Sequence, residues 1–68
     1  MIYKGFNSGV ITYDTENKKY YGVVVNSADY VKFSSDTFNN IEAAFHDSID
    51  KYIKTCEVIG KDPFLKKN

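Results

Sequence analysis

The chain has 68 residues, nine basic and nine acidic side chains, and therefore no formal net charge. This length allows one small domain whose own hydrophobic core is marginal. The balanced charge disfavours a dedicated nucleic-acid-binding protein, in which a basic surface supplies most of the affinity. The single cysteine, Cys56, excludes an intramolecular disulfide, and with the only histidine, His46, it provides too few ligands for a structural zinc site.

The aromatic content points to association with another chain. Six tyrosines and five phenylalanines are many for so small a protein. Tyrosine is common in interfaces because its ring is apolar and its hydroxyl is polar. We therefore expect a homo-oligomer, in the simplest case a dimer. The unpaired cysteine, an N-terminus without a signal-like apolar segment and the lack of a membrane-length apolar run predict a cytoplasmic location without membrane contact.

The first half of the chain has the pattern of β-strands. Residues 9–13, 20–25 and 30–34 are rich in β-branched and aromatic side chains, and short polar segments separate them. Connections this short favour antiparallel neighbours, so the sequence predicts a three-stranded antiparallel meander.

The second of these strands carries large side chains on both faces, because alternate residues of a strand point in opposite directions. One face has Tyr21, Val23 and Val25, and the other has Tyr20 and Val24 with Gly22 between them. This pattern predicts that something covers each face of the sheet. Gly22 leaves room for a neighbouring ring or backbone to approach.

Helical spacing begins in the middle of the chain. Apolar residues recur three or four positions apart along about six turns, at Phe38, Ile41, Phe45, Ile49, Tyr52, Cys56 and Ile59. Asp36 or Thr37 can cap the helix start, Gly60 suits the left-handed residue that ends a helix, and Pro63 prevents its continuation. Such a helix is about 34 Å long, so part of its apolar stripe extends beyond three short strands and is left for another partner.

The predicted fold class is therefore α+β, with a three-stranded antiparallel meander followed by one long helix. Phe64 and Leu65 are candidates for a short last strand, which gives the order β-β-β-α-β.

His46 is the first catalytic candidate because it is the only histidine. On the helix it lies four residues from both Glu42 and Asp50, whose carboxylates favour its charged form. A solvated row of charged side chains is the favoured interpretation, since no nucleophile is specified nearby. Cys56 continues the apolar stripe on another side of the helix and is interpreted as a buried hydrophobic residue. Without a phosphate-binding loop or converging carboxylates, we expect no catalytic, cofactor or metal site.

The order and spacing of several short fragments resemble the N-terminal domain of HicB-type antitoxins. The likeness extends over about residues 3–63 and includes an opening strand, an aromatic pair followed by glycine, a third strand and the end of the helix. These fragments are residues 3–6, Gly9 and Val10, residues 20–22, 31–33, 44–46 and 50–52, Cys56, and residues 60–63.

The resemblance implies both a fold and a function. In that family the domain has a three-strand, helix, short-strand topology similar to a reduced ribonuclease H fold, without catalytic activity. Its members bind the HicA toxin, a small basic ribonuclease that cleaves mRNA, and mask its active surface in a type II toxin–antitoxin system. Typical members then continue into a DNA-binding domain. We expect residues 1–68 to form a single HicB-like N-terminal domain that lacks the DNA-binding domain and does not bind DNA directly.

Partner-binding residues are expected among the aromatic and acidic side chains of the first two strands and the helix flank. The candidates are Tyr13, Asp14, Tyr20, Glu42, His46 and Asp50. Acids outnumber lysines in residues 1–60, which suits a basic partner because complementary charge speeds and orients encounter. Two other interpretations stay open. One is a degenerate ribonuclease H-like RNA-binding or nuclease domain, and the other is a homo-oligomeric module without a toxin.

Overall fold

A two-stranded hairpin, a three-stranded antiparallel sheet and one helix form the framework of residues 1–65, the part of the chain that this computed structural model describes. Five strands precede the helix: β1 (Ile2–Tyr3), β2 (Phe6–Asn7), β3 (Thr12–Asp14), β4 (Lys19–Val23) and β5 (Lys32–Ser35). A 3-10 turn at Phe38–Asn40 then leads into α1 (Ile41–Ile59). Strands β3, β4 and β5 form an antiparallel meander in that order. The predicted α+β class, three-stranded meander and C-terminal helix are confirmed.

The sequence analysis did not predict the N-terminal hairpin of β1 and β2. Its two turn residues, Lys4 and Gly5, have φ of 50° and 84°. Two consecutive left-handed residues are typical of a type I′ turn, which matches the twist of the flanking strands. Gly5 between two short apolar segments was the available signal for this hairpin.

The hairpin continues into the sheet through a bulge. Ser8 forms an isolated bridge with Val24, whereas Thr12 pairs with Tyr21. The step from Ser8 to Thr12 is one residue longer than the step from Val24 back to Tyr21, so one extra residue lies in the first strand. The single strand predicted over residues 9–13 is therefore wrong in its bounds, because the bulge interrupts pairing until β3 begins.

The middle of the apolar stripe of α1 packs on the sheet. Phe45 and Ile49 are fully buried, and the ring centroid of Phe45 lies 5.0 Å from that of Phe33 in β5. A Cβ atom at Gly22 would lie only 2.6 Å from Cζ of Phe33, which confirms the prediction that Gly22 admits a neighbouring ring. Burial of one such phenylalanine side chain contributes about 1.5–3 kcal/mol.

The helix starts later than its apolar spacing indicated. The α-helical residues begin at Ile41, so α1 spans about 28 Å rather than about 34 Å. The predicted side-chain cap from Asp36 or Thr37 is wrong, because the 3-10 turn separates both residues from α1 and Thr37 makes no capping hydrogen bond. At the other end Gly60 has φ of 71°, as predicted for the closing residue.

Apolar side chains remain exposed at both ends of the stripe and on the outer face of the sheet. The first residue of the stripe, Phe38, and its last, Ile59, are 60% and 65% exposed. On the outer face of the sheet, opposite α1, Val25 is 57% exposed. The prediction that something covers each face of the sheet is not met for this outer face within residues 1–65. No helix in these residues is long and apolar enough to cross a membrane.

The segment after α1 returns to the start of the chain. The ring of Phe64 stacks on Phe6 with centroids 4.2 Å apart, and Phe64 forms an isolated bridge with Ser27. Two backbone hydrogen bonds support the bridge. Ala28 N donates to the carbonyl of Pro63, and Leu65 N donates to the carbonyl of Asn26, between β4 and β5. The short last strand predicted at Phe64 and Leu65 is thus reduced to a single bridge.

We expect Gly22→Ala to destabilise the fold by about 1–3 kcal/mol, because the new methyl group overlaps the rings and side chains packed on Gly22. Urea unfolding followed by circular dichroism measures this change. Thr12→Ala, on the exposed outer face of the sheet, is the control and should alter stability by less than about 0.5 kcal/mol. Equal free energies of unfolding for the two variants would contradict the close packing of Phe33 on Gly22.

Candidate partner-binding surface

His46 is held between the helix and the N-terminal hairpin. Its ring stacks on Tyr3 with centroids 4.0 Å apart and an interplanar angle of 17°. Its Nε2 lies 3.8 Å from Oε2 of Glu42, one turn earlier on α1. The side chain of His46 is 37% exposed. The imidazole is therefore fixed in orientation and accessible along one edge.

Asp50 is already engaged within the chain. Lys4 Nζ donates to its Oδ1 at 2.8 Å, and the hydroxyl of Tyr3 donates to the same carboxylate at 3.1 Å. The hydrogen bond from Lys4, with further help from Tyr3 and nearby positive charge, lowers the pKa of Asp50. Asp50 thus ties the hairpin to α1, and its side chain remains 48% exposed.

A group of aromatic rings lies at the start of the helix. The ring centroid of Tyr20 is 4.8 Å from that of Tyr13 and 5.6 Å from that of Phe38. Tyr20 is half-buried against the core, whereas Tyr13 is 46% exposed and Phe38 is 60% exposed. Tyr13 and Tyr20 are paired residues on the same face of β3 and β4, so the sheet itself sets their spacing.

Glu42 lies between these two groups along the chain. It lies one turn beyond Phe38 on the chain and beside His46, and its side chain is 67% exposed. The resulting surface, here called the aromatic–acidic strip, runs along the flank of α1 that faces the N-terminal hairpin. It consists of Tyr3, Tyr13, Tyr20, Phe38, Glu42, His46 and Asp50. Contacts thus join Tyr13 and Tyr20 with Phe38, and join Glu42, His46 and Asp50 with Tyr3, so five of the six candidates from the sequence fall in these two groups.

Asp14, the sixth candidate, is placed elsewhere. It lies at the end of β3 on the outer face, opposite the strip. Its carboxylate accepts hydrogen bonds from Nδ2 of Asn17 at 2.8 Å and from the backbone of Glu16 and Asn17. The hydrogen bonds from Asn17, above all, lower the pKa of Asp14. This geometry stabilises the β3–β4 turn.

A second polar cluster was missed by the sequence analysis. Lys61 Nζ lies 2.7 and 2.6 Å from the two carboxylate oxygens of Asp29, and the hydroxyl of Tyr52 donates to Asp29 at 3.0 Å. Partial burial raises the pKa of Tyr52 to about 12, so the phenol keeps its proton. The hydrogen bond from Lys61 lowers the pKa of Asp29. The sequence pattern does not predict this cluster, because Asp29 is far from both partners in sequence.

The strip has the chemistry of a binding surface. His46 contacts aromatic and carboxylate side chains, and Cys56 is buried on the core side of α1. Among residues 1–65 no group of three or more histidine, cysteine or acidic side chains is close enough to hold a metal ion. The exposed groups on the strip are aromatic rings and carboxylates, which suit recognition of a surface that is itself part apolar and part basic.

Comparisons of the chain with protein-family models, with curated proteins and with solved structures give no match.

We expect the stability of the fold to decrease at acidic pH partly through Asp29. A carboxylate whose pKa is lower in the folded chain stabilises the fold fully above its ordinary pKa of about 3.9, and this contribution is lost as pH falls through the folded value. Asp29→Asn should therefore be less stable than the wild type near pH 6, and its stability should fall less between about pH 5 and pH 3. Denaturant unfolding at several pH values measures this.

Lys61→Met removes the hydrogen bond that chiefly lowers the pKa of Asp29. The free energy of unfolding of this variant should therefore also fall less between about pH 5 and pH 3. An unchanged pH dependence in both variants would show that the Asp29–Lys61 contact does not contribute to stability in solution.

Proposed function

We propose that this chain is an antitoxin-like protein that binds and neutralises a small, basic, HicA-type mRNA-cleaving toxin in the cytoplasm, as part of a type II toxin–antitoxin system. In this proposal it is not an enzyme, and its α+β fold is a reduced ribonuclease H-like domain. The aromatic–acidic strip is the observation that carries the proposal, and the resemblance of residues 3–63 to the HicB family names the partner.

The composition of the strip supports a protein partner. Exposed aromatic side chains contribute most to binding when they enter a pocket on the partner and exclude water. Tyr13 and Phe38 have this exposure while Tyr20 holds their rings in place. These rings are already in contact in the free protein. Rings that are oriented before binding lose little conformational entropy on association, which favours affinity.

The charges of the strip support a basic partner. Glu42 is exposed at its centre, and the partly exposed Asp50 lies two turns further along α1. The carboxylate of Glu42 would attract basic groups around the active site of a ribonuclease and orient its approach, whereas Asp50 is already paired with Lys4. Neutralisation then follows from coverage, because RNA cannot reach a catalytic surface on which another protein is seated.

A second candidate function, binding of RNA, is favoured by one observation on the outer face. A shallow depression of about 250 Å³ is lined there by Lys19, Tyr21 and Lys32, and Nζ of Lys32 lies 4.7 Å from the ring centroid of Tyr21. Lysines beside an aromatic ring can hold phosphates and a stacked base. The carboxylate of Asp14 lines the same depression and opposes an anionic ligand, so we favour the protein partner.

We expect Tyr13→Ala to weaken toxin binding about tenfold or more, because the exposed ring is lost from the strip. Glu42→Lys should chiefly slow association and reduce its dependence on salt. The measurements are rescue of growth on co-expression with a small basic HicA-type toxin, sought among the reading frames next to the one for this chain, and affinity and association rate of the purified pair.

Two matched controls lie off the strip. Tyr30→Ala removes a tyrosine that is 76% exposed, and Glu57→Lys reverses an exposed acid near the end of α1. Both should leave affinity within about twofold. The proposal fails if the wild-type chain forms no complex with that basic protein, or if the control changes weaken the complex as much as the strip changes. RNA binding by the wild type that depends on Lys32 would favour the second candidate.

A further inference from the structure

The strand β5 has one unpaired edge. It lies at the end of the sheet order, and within residues 1–65 only β4 pairs with it. Val24 N donates to the carbonyl of Val31 at 2.9 Å, which fixes the alternation along this ladder. Because alternate residues of an edge strand direct their backbone groups inward and outward, the N–H and C=O groups of Lys32 and Ser34 point away from the sheet. They form a row that can pair with another strand.

The charges along this edge favour pairing with a second copy of β5. Lys32 lies in β5 two residues before Ser34, and Asp36 follows the last residue of β5, two residues after Ser34. The contact of Asp36 with Nζ of Lys19, 3.9 Å away, places its side chain on the outer face, where Lys32 also lies. If two copies pair antiparallel about a twofold axis at Ser34, Lys32 of each copy lies opposite Asp36 of the other. Opposite charges in directly paired positions stabilise an antiparallel ladder. A lysine on an edge strand resists pairing with strands that lack a matching acid, so a second copy fits this edge better than an arbitrary strand.

The exposure of both side chains is compatible with this pairing. The side chain of Asp36 is 83% exposed, and its contact within residues 1–65 is a distant one, 3.9 Å from Nζ of Lys19. Lys32 is exposed and lies over Tyr21 on the outer face. Neither charge needs to leave a buried position or break a short ion pair before it can reach a partner.

The helix supplies a second surface on the same side. α1 packs over β5. The flank of α1 that carries His46 and Asp50 faces the N-terminal hairpin, away from the free edge of β5. The opposite flank, on the β5 side, carries Ala44, Ser48, Thr55, Val58 and Ile59, with the exposed Lys51 among them. Val58 and Ile59 are 78% and 65% exposed. A twofold axis at Ser34 brings these flanks of two antiparallel helices toward each other across the joined strands.

We propose that the protein forms a homodimer in which β5 strands from two copies pair antiparallel about Ser34, joining the two meanders into one continuous six-stranded sheet. Lys32 and Asp36 form two symmetry-related charge pairs, and the β5-side flanks of the two helices complete the interface. This dimer does not depend on the toxin-binding function. The aromatic–acidic strip, on the hairpin side of α1, remains open in both copies.

Charge reversal tests the pairing without relying on loss of fold. Sedimentation equilibrium of the full chain should give twice the 7.8 kDa chain mass. K32E and D36K each place like charges opposite one another twice, and each should raise the dimer dissociation constant at least about tenfold. An equimolar mixture of the two variants should form a heterodimer as tight as the wild type, because every new acid then faces a lysine. The double variant K32E/D36K should also dimerise.

Two further variants complete the test. Ser34→Pro removes a backbone donor at the axis and should give a monomer, whereas Lys19→Gln removes the intrachain neighbour of Asp36 and should leave the dimer intact. Circular dichroism reports whether each variant is folded. A wild-type chain that is monomeric at about millimolar concentration overturns the proposal. A dimer that is indifferent to both charge reversals, or a mixture that fails to associate, overturns it equally, since another face would then form the contact.

Discussion

Burial of the apolar stripe of one helix against one narrow sheet is the contact on which this structure depends. Phe45 and Ile49 are fully buried beside Phe33, whose ring lies so close to Gly22 that a side chain at that glycine would displace it. Phe6 joins the same core from the N-terminal hairpin. With a single helix available, one sheet face is covered and the other is left to solvent, so the exposed apolar surface follows directly from the architecture.

The aromatic–acidic strip is a consequence of that core. Phe6 is fully buried and anchors the hairpin, and the hairpin in turn places Tyr3 on His46 and Lys4 on Asp50. At the other end Phe38, in the 3-10 turn before α1, lies outside the core and against Tyr20 of β4. The strip thus borders the core, and its rings are positioned by the hairpin at one end and by Tyr20 at the other.

Periodicity predicted the elements that bury a continuous apolar face. The meander and the middle of α1 were foreseen because alternation and helical spacing report burial directly. The N-terminal hairpin was not predicted, because Ile2 and Tyr3 form too short a segment for a periodic signal. In addition, the turn of this hairpin has Lys4 at positive φ, which the residue type does not indicate. The helix start was placed too early because Phe38 keeps the spacing of the stripe although it lies in a 3-10 turn.

The candidate residues show the same division between local and distant information. Glu42, His46 and Asp50 could be grouped from helical spacing alone, and Tyr13 with Tyr20 needed only the antiparallel register. Asp14 has the same residue type as Asp50 but a different role, because its neighbours in sequence bind it in a turn. Contacts such as Asp29 with Lys61 join distant parts of the chain. Only the folded arrangement brings such pairs together.

The pairing of charges within the chain limits what electrostatics can contribute to recognition. Asp29, Asp47 and Asp50 each lie within 3 Å of a lysine nitrogen. A partner that approaches them meets carboxylates already partly neutralised, so their long-range attraction is weak and screened by salt. Among residues 1–65, the partner of the Glu42 carboxylate is His46, whose Nε2 lies 3.8 Å away. Affinity at the strip must therefore come mainly from desolvation of Tyr13 and Phe38, while Glu42 sets the orientation of the partner.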